Sequence, residues 1–322
     1  MFDKTIAIVL AGGVGSRLHP LTAERAKPAV PFGGNYRIID FTLSNCLHSG
    51  LRRVLVLTQY KSDSLQKHLR DGWSIFNSEI SEYITHVPPQ MRTGESWYTG
   101  TADAIRQNLY LLERSNANHV VILSGDHIYR MDYAAMLQFH LDQAAELTIA
   151  CMPVPLASAS SFGVMSVDDV HQIRAFDEKP EHPKHLPNDP DRALASMGIY
   201  IFNMELLSSE LQSDYALTAS NYDFGKDIIP RLIGTHCVYA YRFGEETGRV
   251  MQDKYWRDVG TIDSYYLANM DLLEPVPSMN LYQPDWVIRT YHSQNPPARM
   301  APGSLGQEGH VINSMLSTGT VV

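Results

Sequence analysis

The chain has 322 residues, 44% hydrophobic and 19% charged, and its 26 basic and 35 acidic side chains leave a net charge of −9. At roughly 100–200 residues per domain this length suggests about two domains, and the composition excludes a disordered chain. A net acid of this size argues against broad, non-specific nucleic-acid binding, so any phosphate chemistry must come from a few local basic residues.

The three cysteines, Cys46, Cys151 and Cys237, are far apart and form no C-x-x-C pair. They cannot supply a disulfide framework or a cysteine zinc site, which points to a reducing compartment. The N-terminal stretch is too short and wrongly flanked for a signal peptide. No apolar run approaches the roughly 18 residues of a membrane helix. The expectation is a soluble, cytoplasmic protein with no membrane partner.

In chain order, Thr5–Leu10 (TIAIVL) is a continuous β-branched apolar run, the mark of a strand buried on both faces. Similar runs recur at residues 54–58, 119–123, 147–154 and 199–202. Residues 101–113 read as a helix with Ala104, Ile105, Leu109 and Leu112 on one face, and residues 134–145 behave likewise. Residues 165–167 and 173–176 read as a hairpin. Strands alternating with helices predict an α/β fold with a mixed, mostly parallel sheet covered on both sides, and ligands sit beyond the carboxyl ends of such strands. Six prolines between 275 and 302 read as a linker, and the Gly/Ser-rich tail ends on Val321 and Val322.

Directly after the first strand comes LAGGVGSRL, residues 10–18. Its glycines let the backbone fold tightly around phosphate oxygens. There is no G-K-[ST], so this is not a Walker A loop. Gly13-x-Gly15-x-x-Leu18 lacks the small third residue of a dinucleotide fingerprint. Arg17 and Lys27 follow instead, which suits a polyphosphate. The competing reading is a plain strand-to-helix turn with a solvated arginine. A dehydrogenase would need an acidic residue ending the second strand, but residues 54–58 continue into Gln59-Tyr60.

Residues 10–34 (LAGGVGSRLHPLTAERAKPAVPFGG) resemble the signature of the sugar-1-phosphate nucleotidyltransferases. Their continuation, NYRIIDFTLSN at 35–45, is similar to the glucose-1-phosphate adenylyltransferases of glycogen and starch synthesis. The resemblance runs on in order through WYTGTADA (97–104), SGDHIY (124–129), FGVM (162–165), EKP (178–180), SMGIY (196–200) and WRDVGT (256–261). It covers nearly the whole chain. The family reaction joins ATP and glucose 1-phosphate into ADP-glucose and pyrophosphate, through a Rossmann-like three-layer catalytic domain followed by a left-handed β-helix. A uridylyl- or thymidylyltransferase, or a non-catalytic regulatory homologue, remains the competing function.

The resemblance implies the following roles. Leu10, Gly12, Gly13 and Gly15 cradle the triphosphate, and Gln90, Trp97, Tyr98, Gly100 and Thr101 lie on the base side. Arg17 neutralises the leaving pyrophosphate. Lys27, biased out of the helical region by Pro28, bridges phosphate oxygens. Asp126 and Asp258 hold Mg²⁺, since a carboxylate among phosphates needs a cation. Lys179 grips the sugar phosphate and Glu178 the glucose hydroxyls, with Gly163, Ser196 and Gly198 lining the sugar pocket. Each has a plainer reading: Lys27 as a surface lysine, Asp258 as a turn former, Glu178-Lys179 as an exposed turn, Trp97 and Tyr98 as core aromatics. His127 has no second histidine or carboxylate at ligand spacing and reads as structural.

Glu24 stands where enteric-type relatives carry a lysine, so a phosphorylated sugar effector is expected to act weakly or through Arg25. The domain reading is 1–275 catalytic, 276–303 linker and 304–322 the start of a β-helix that stops unfinished, in a family of homotetramers.

Overall fold

The computed structural model describes residues 2–90, 97–244, 249–250, 254–301 and 310–322. Strand β1 (Thr5–Leu10) leads through the small hairpin β2 (Pro31–Phe32) and β3 (Tyr36–Arg37) into helix α1 (Ile38–Ser49), β4 (Arg53–Leu57) and α2 (Asp63–Trp73). Then come β5 (Tyr83–Val87), α3 (Thr101–Arg106), α4 (Leu109–Arg114), β6 (His119–Ser124), β7 (His127–Tyr129) and α5 (Tyr133–Asp142). The second half holds β8 (Leu147–Pro155), α6 (Leu156–Ala159), β9 (Gly163–Val167), β10 (Ile173–Glu178), β11 (Arg192–Asn203) and α7 (Met204–Tyr215). It closes with α8 (Ile229–Leu232), β12 (Val238–Arg242), β13 (Trp256–Asp258) and α9 (Ile262–Asp271).

The main sheet is mixed and runs β10-β9-β11-β6-β1-β4-β5, with β8 also on β11 and carrying β12. Strands β6, β1, β4 and β5 are parallel neighbours, in registers that bring Leu10 opposite Leu57 and Ser124. Their carboxyl ends therefore share one rim. Apolar side chains cover both faces: one cluster joins Ile6, Ile8 and Ile122 to α3, α4 and α7, the other joins Ala7, Val9 and Val121 to α1, α2 and α5. This is why the parallel strands read as unbroken apolar runs rather than alternating ones.

The predicted helix over 101–113 is two short helices. Asn108 leaves helical geometry at φ −110°, and its amide donates to the Ala104 carbonyl at 2.8 Å. A short polar side chain that bonds backbone competes with the helix ladder. Ala104, Ile105, Leu109 and Leu112 remain buried on one face across the break.

Strand β11 changes neighbours along its length. Leu194 and Ala195 pair with β9, while residues from Tyr200 onward pair with β6, and the register with β8 slips between Ser196 and Tyr200. Gly198 sits in that irregularity at φ +69°, a conformation glycine adopts without steric penalty.

Residues beyond 275 pack onto the preceding fold. Met279, Trp286 and Ile288 are buried with Phe32 and Phe41, and the Trp286 indole donates to Asn45 Oδ1 at 3.0 Å. Part of the expected linker and tail, residues 302–309, lies outside the described residues. Residues 310–322 contribute a single parallel bridge, Arg299 with Val321. No described helix is long and apolar enough to cross a membrane.

Candidate active site

One cleft opens at the rim of the parallel strands, and a second adjoins it among β8, β9, β11 and β13. The first, about 570 Å³, is lined by the glycine loop, Lys27, Gln59, Tyr98, Gly100, Thr101, Ser124 and Asp126. Gly15 turns the loop at φ +62°, and Thr22 Oγ1 locks it by donating to the Gly15 carbonyl at 2.9 Å. A Cβ built on Gly13 would meet nothing within 4 Å. The loop thus exposes bare backbone to open space, as a phosphate cradle requires.

On the opposite wall Gly100 is forced by packing. A Cβ there would lie 2.2 Å from the Tyr222 carbonyl oxygen and 2.7 Å from that of Asn221. Asp103 accepts from the Thr99 amide at 3.1 Å, and Asn108 donates to the Tyr98 hydroxyl at 2.9 Å. The loop bearing Tyr98 is therefore held by buried polar partners from α3 and its C-terminal break.

The second cleft, about 860 Å³, is lined by Gly163, Glu178, Lys179, Ser196 and Gly198, together with Arg17, His127, Asp258 and Gly260. Glu178 and Gly163 are opposite in the β9–β10 hairpin, and Lys179 follows at φ 48°, 3.1 Å from the Glu178 carboxylate. Arg17 and Gly260 line both clefts, which makes the pair the junction between them.

At that junction Lys27 Nζ lies 2.9 Å from Asp126 Oδ2 and 2.9 Å from Asp258 Oδ1. Lys27 is buried in a tight turn at Lys27–Ala29, Asp126 follows the end of β6, and Asp258 ends β13, which pairs with β7. Burial alone would lower the Lys27 pKa, but the two carboxylates outweigh it and hold the ammonium above its usual value. Burial likewise opposes charge on Asp126, yet His127, Lys27 and Ser124 hold its carboxyl well below the ordinary range. Asp126 is thus ionised, and the Asp126 and Asp258 carboxylates converge on the Lys27 ammonium. Single ligand atoms of Asp126, His127 and Asp258 lie within 4.8 Å of one another. Two convergent carboxylates are hard oxygen donors, and the set fits a divalent cation. Contrary to the sequence expectation, a carboxylate does lie within ligand reach of His127, because pairing of β13 with β7 sets Asp258 opposite it; the ring also packs edge-on against Trp256, with centroids 4.9 Å apart.

Of the residues expected on the base side, Tyr98, Gly100 and Thr101 line the first cleft with Leu10, Gly12, Gly13 and Gly15. Gln90 and Trp97 do not. The Gln90 amide donates to its own neighbour, the Pro88 carbonyl, at 3.0 Å, and Trp97 is 57% exposed. Neither position carries a burial or pairing constraint that would turn it inward.

Gln59, Ser124, Asp223 and Gly260 line the clefts without having been singled out from the sequence. Ser124 and Gly260 lie inside quoted motifs, where their neighbours drew attention. Asp223 had no local signal: it reaches the cleft because its carboxylate accepts from Thr101 Oγ1 at 3.1 Å, 122 positions away.

The fold and this paired-cleft site define a nucleotidyl transferase, and the chain belongs to that family, whose model matches residues 6–275. It is 66% identical over 316 residues to glucose-1-phosphate adenylyltransferase 2 of Vibrio vulnificus (strain YJ016), covering 98% of this chain and 78% of that protein. It is 51% identical over 319 residues to the glucose-1-phosphate adenylyltransferase of Methylococcus capsulatus, covering 99% of this chain and 75% of the relative. The corresponding protein of Yersinia pseudotuberculosis is 50% identical over 323 residues, with 99% and 76% covered.

Proposed function

We infer that the chain transfers the adenylyl group of ATP to α-D-glucose 1-phosphate, giving ADP-glucose and pyrophosphate. The observation that carries this reading is the pair of clefts meeting at Arg17 beside the Lys27–Asp126–Asp258 cluster, in a chain 50–66% identical to glucose-1-phosphate adenylyltransferases. ADP-glucose is a glucosyl donor, and glycogen synthesis in the cytoplasm is the process it would feed.

In the reaction an oxygen of the sugar phosphate attacks the α-phosphorus of ATP, the bond to the β-phosphate oxygen breaks, and pyrophosphate leaves. Phosphoryl-type transfers of this kind need positioning and charge neutralisation more than covalent catalysis. Alignment supplies roughly 7–11 kcal/mol of barrier reduction, and a preorganised donor about 3–4 kcal/mol.

Gly12, Gly13 and Gly15 bind the triphosphate through backbone amides, with Tyr98, Gly100 and Thr101 flanking the base. Lys179 orients the sugar phosphate, while Glu178, Ser196, Gly163 and Gly198 shape the glucose subsite. Arg17 offsets charge on the departing pyrophosphate, and Lys27 offsets charge at the reacting phosphorus. Asp126 and Asp258 would hold Mg²⁺, which supplies positive charge among the phosphate oxygens when bound. Because Lys27 and the two aspartates are mutually paired, each is oriented before substrate arrives, which is where preorganisation comes from.

Residues 1–275 are read as the catalytic domain, 276–303 as the segment leading out of it, and 304–322 as the first part of a β-helix in a homotetramer. The end of the family match at residue 275 supports the first boundary. Glu24 is exposed on a loop that Lys61 ties down through the Ala23 carbonyl. A carboxylate there repels a sugar bisphosphate, so activation by such an effector is weak or runs through Arg25.

The deciding assay is pyrophosphate release with glucose 1-phosphate and each of ATP, UTP, dTTP and CTP. ATP is expected to be fastest by a wide margin. Equal rates with UTP would overturn the adenylyl assignment.

A further inference from the structure

Asp126 has two carboxylate oxygens, and the fold treats them differently. Oδ1 accepts a hydrogen bond from Ser124 Oγ and lies 3.6 Å from His127 Nε2. Oδ2 lies 2.9 Å from Lys27 Nζ, the same ammonium that Asp258 Oδ1 contacts at 2.9 Å. Ser124 is itself fixed. It ends β6 in register with Leu10 of β1, and its carbonyl accepts from Thr42 Oγ1, a fully buried group on α1, at 2.9 Å. The next amide, Gly125, donates to the Leu10 carbonyl at 3.0 Å. The hydroxyl therefore projects from a backbone anchored on two sides toward one oxygen of its neighbour but one.

Resting on the reading of Asp126 as a metal ligand, we propose that Ser124 is a positioning residue for the metal centre, whose hydroxyl occupies Oδ1 so that Asp126 offers Oδ2 alone. A carboxylate with both oxygens free can rotate about its terminal torsion, which is broad and roughly two-fold. It can then present either oxygen, or both at once. Small divalent ions that demand near-octahedral geometry tolerate little of that freedom. Hydrogen bonds to ligating carboxylates are a recurrent means of fixing them, and their loss weakens metal binding by about 10–100-fold. The same bond leaves Lys27 paired with Oδ2, the oxygen that would face a bound ion, while Asp258 Oδ1 also holds the ammonium at 2.9 Å.

The test is Mn²⁺ binding to the purified full chain without nucleotide, followed by electron paramagnetic resonance of free Mn²⁺. Ser124→Ala is expected to weaken binding by about 10–100-fold, with an unchanged circular dichroism spectrum and unfolding midpoint. Ser124→Thr, which keeps the hydroxyl, is expected to bind close to wild type. Asp126→Asn, measured alongside, is expected to abolish binding. Wild-type affinity in Ser124→Ala, with Asp126→Asn silent, would overturn the role of Ser124 and leave the ligand reading standing. Equal weakening in a folded Ser124→Thr would also overturn it, since size rather than the hydroxyl would then matter. Retained binding in Asp126→Asn would overturn both.

Discussion

Lys27 and Asp258 stand 231 positions apart, yet the Lys27 ammonium donates to Asp258 Oδ1 at 2.9 Å. The contact closes the glycine-loop half of the domain onto the β13 segment and directs a buried positive charge at the junction of the two clefts. Charge-assisted hydrogen bonds of this kind are roughly twice as strong as neutral ones.

Lys27→Met removes that charge and leaves Asp126 and Asp258 facing each other. Because both carboxylates keep nearly a third of their side-chain surface in solvent, the penalty is smaller than for a fully buried pair. About 1–3 kcal/mol of stability should be lost. Pyrophosphate release should fall at least about a hundredfold. Urea unfolding and the release assay on the same preparation check both; activity within a few-fold of wild type would remove Lys27 from the reacting centre.

Gly100→Ala and Gly13→Ala should separate packing from binding. At Gly100 the methyl would lie 2.2 Å from the Tyr222 carbonyl oxygen, so the wall of the cleft must shift. Overpacking of this kind costs roughly 1–3 kcal/mol, and KM for ATP should rise with it. At Gly13 the methyl enters open space, so unfolding should match wild type while KM for ATP rises. A Gly13→Ala variant with unaltered KM would show that nothing binds against that loop.

Trp286→Ala tests whether the segment after residue 275 is part of the catalytic fold. The indole is 1% exposed, stacks on His48 with centroids 4.8 Å apart and bonds to Asn45. Truncating a buried tryptophan costs about 3–5 kcal/mol, and it would leave the Asn45 acceptor unpaired. The unfolding midpoint should drop sharply; a change under about 1 kcal/mol would mean the strap is only laid against the domain.

His140 should make stability fall in mild acid. Burial pushes its pKa down to about 4, against a smaller opposing effect of the Asn203 bond. The neutral ring satisfies both nitrogens, with Nε2 at 3.0 Å from Asn203 Oδ1 and Nδ1 at 2.8 Å from Thr148 Oγ1. Between pH 6.5 and 4 the unfolded chain takes up a proton at this site that the folded chain refuses. Stability is therefore full above pH 6.5 and declines as pH falls, by about 3 kcal/mol at pH 4. Urea midpoints from pH 7 to 4 should slope less steeply in His140→Gln than in wild type; parallel slopes would exclude this residue.

Local pattern carried much of this. The unbroken apolar run Thr5–Leu10, the glycines after it and Asp126 just beyond the buried strand His119–Ser124 were readable because each depends on neighbours in sequence. A strand buried on both faces and a loop of bare backbone leave composition signatures in windows of a few residues. The break at Asn108 was not readable, because the same polar side chain fits a helix until its amide finds the Ala104 carbonyl. Nor was the outward placement of Gln90 and Trp97, since motif membership says nothing about which way a side chain faces.

The sequence by itself determined the layered α/β fold, the phosphate-type loop and the set of charged residues available for chemistry. Tertiary structure alone decided which of them meet. Asp258 beside Lys27, Asp223 beside Thr101 and Trp286 beside Asn45 are pairings across 231, 122 and 241 positions. Such contacts are set by how packed layers bring distant rims together, and a long-range pairing leaves no periodicity in the chain for a local reading to find.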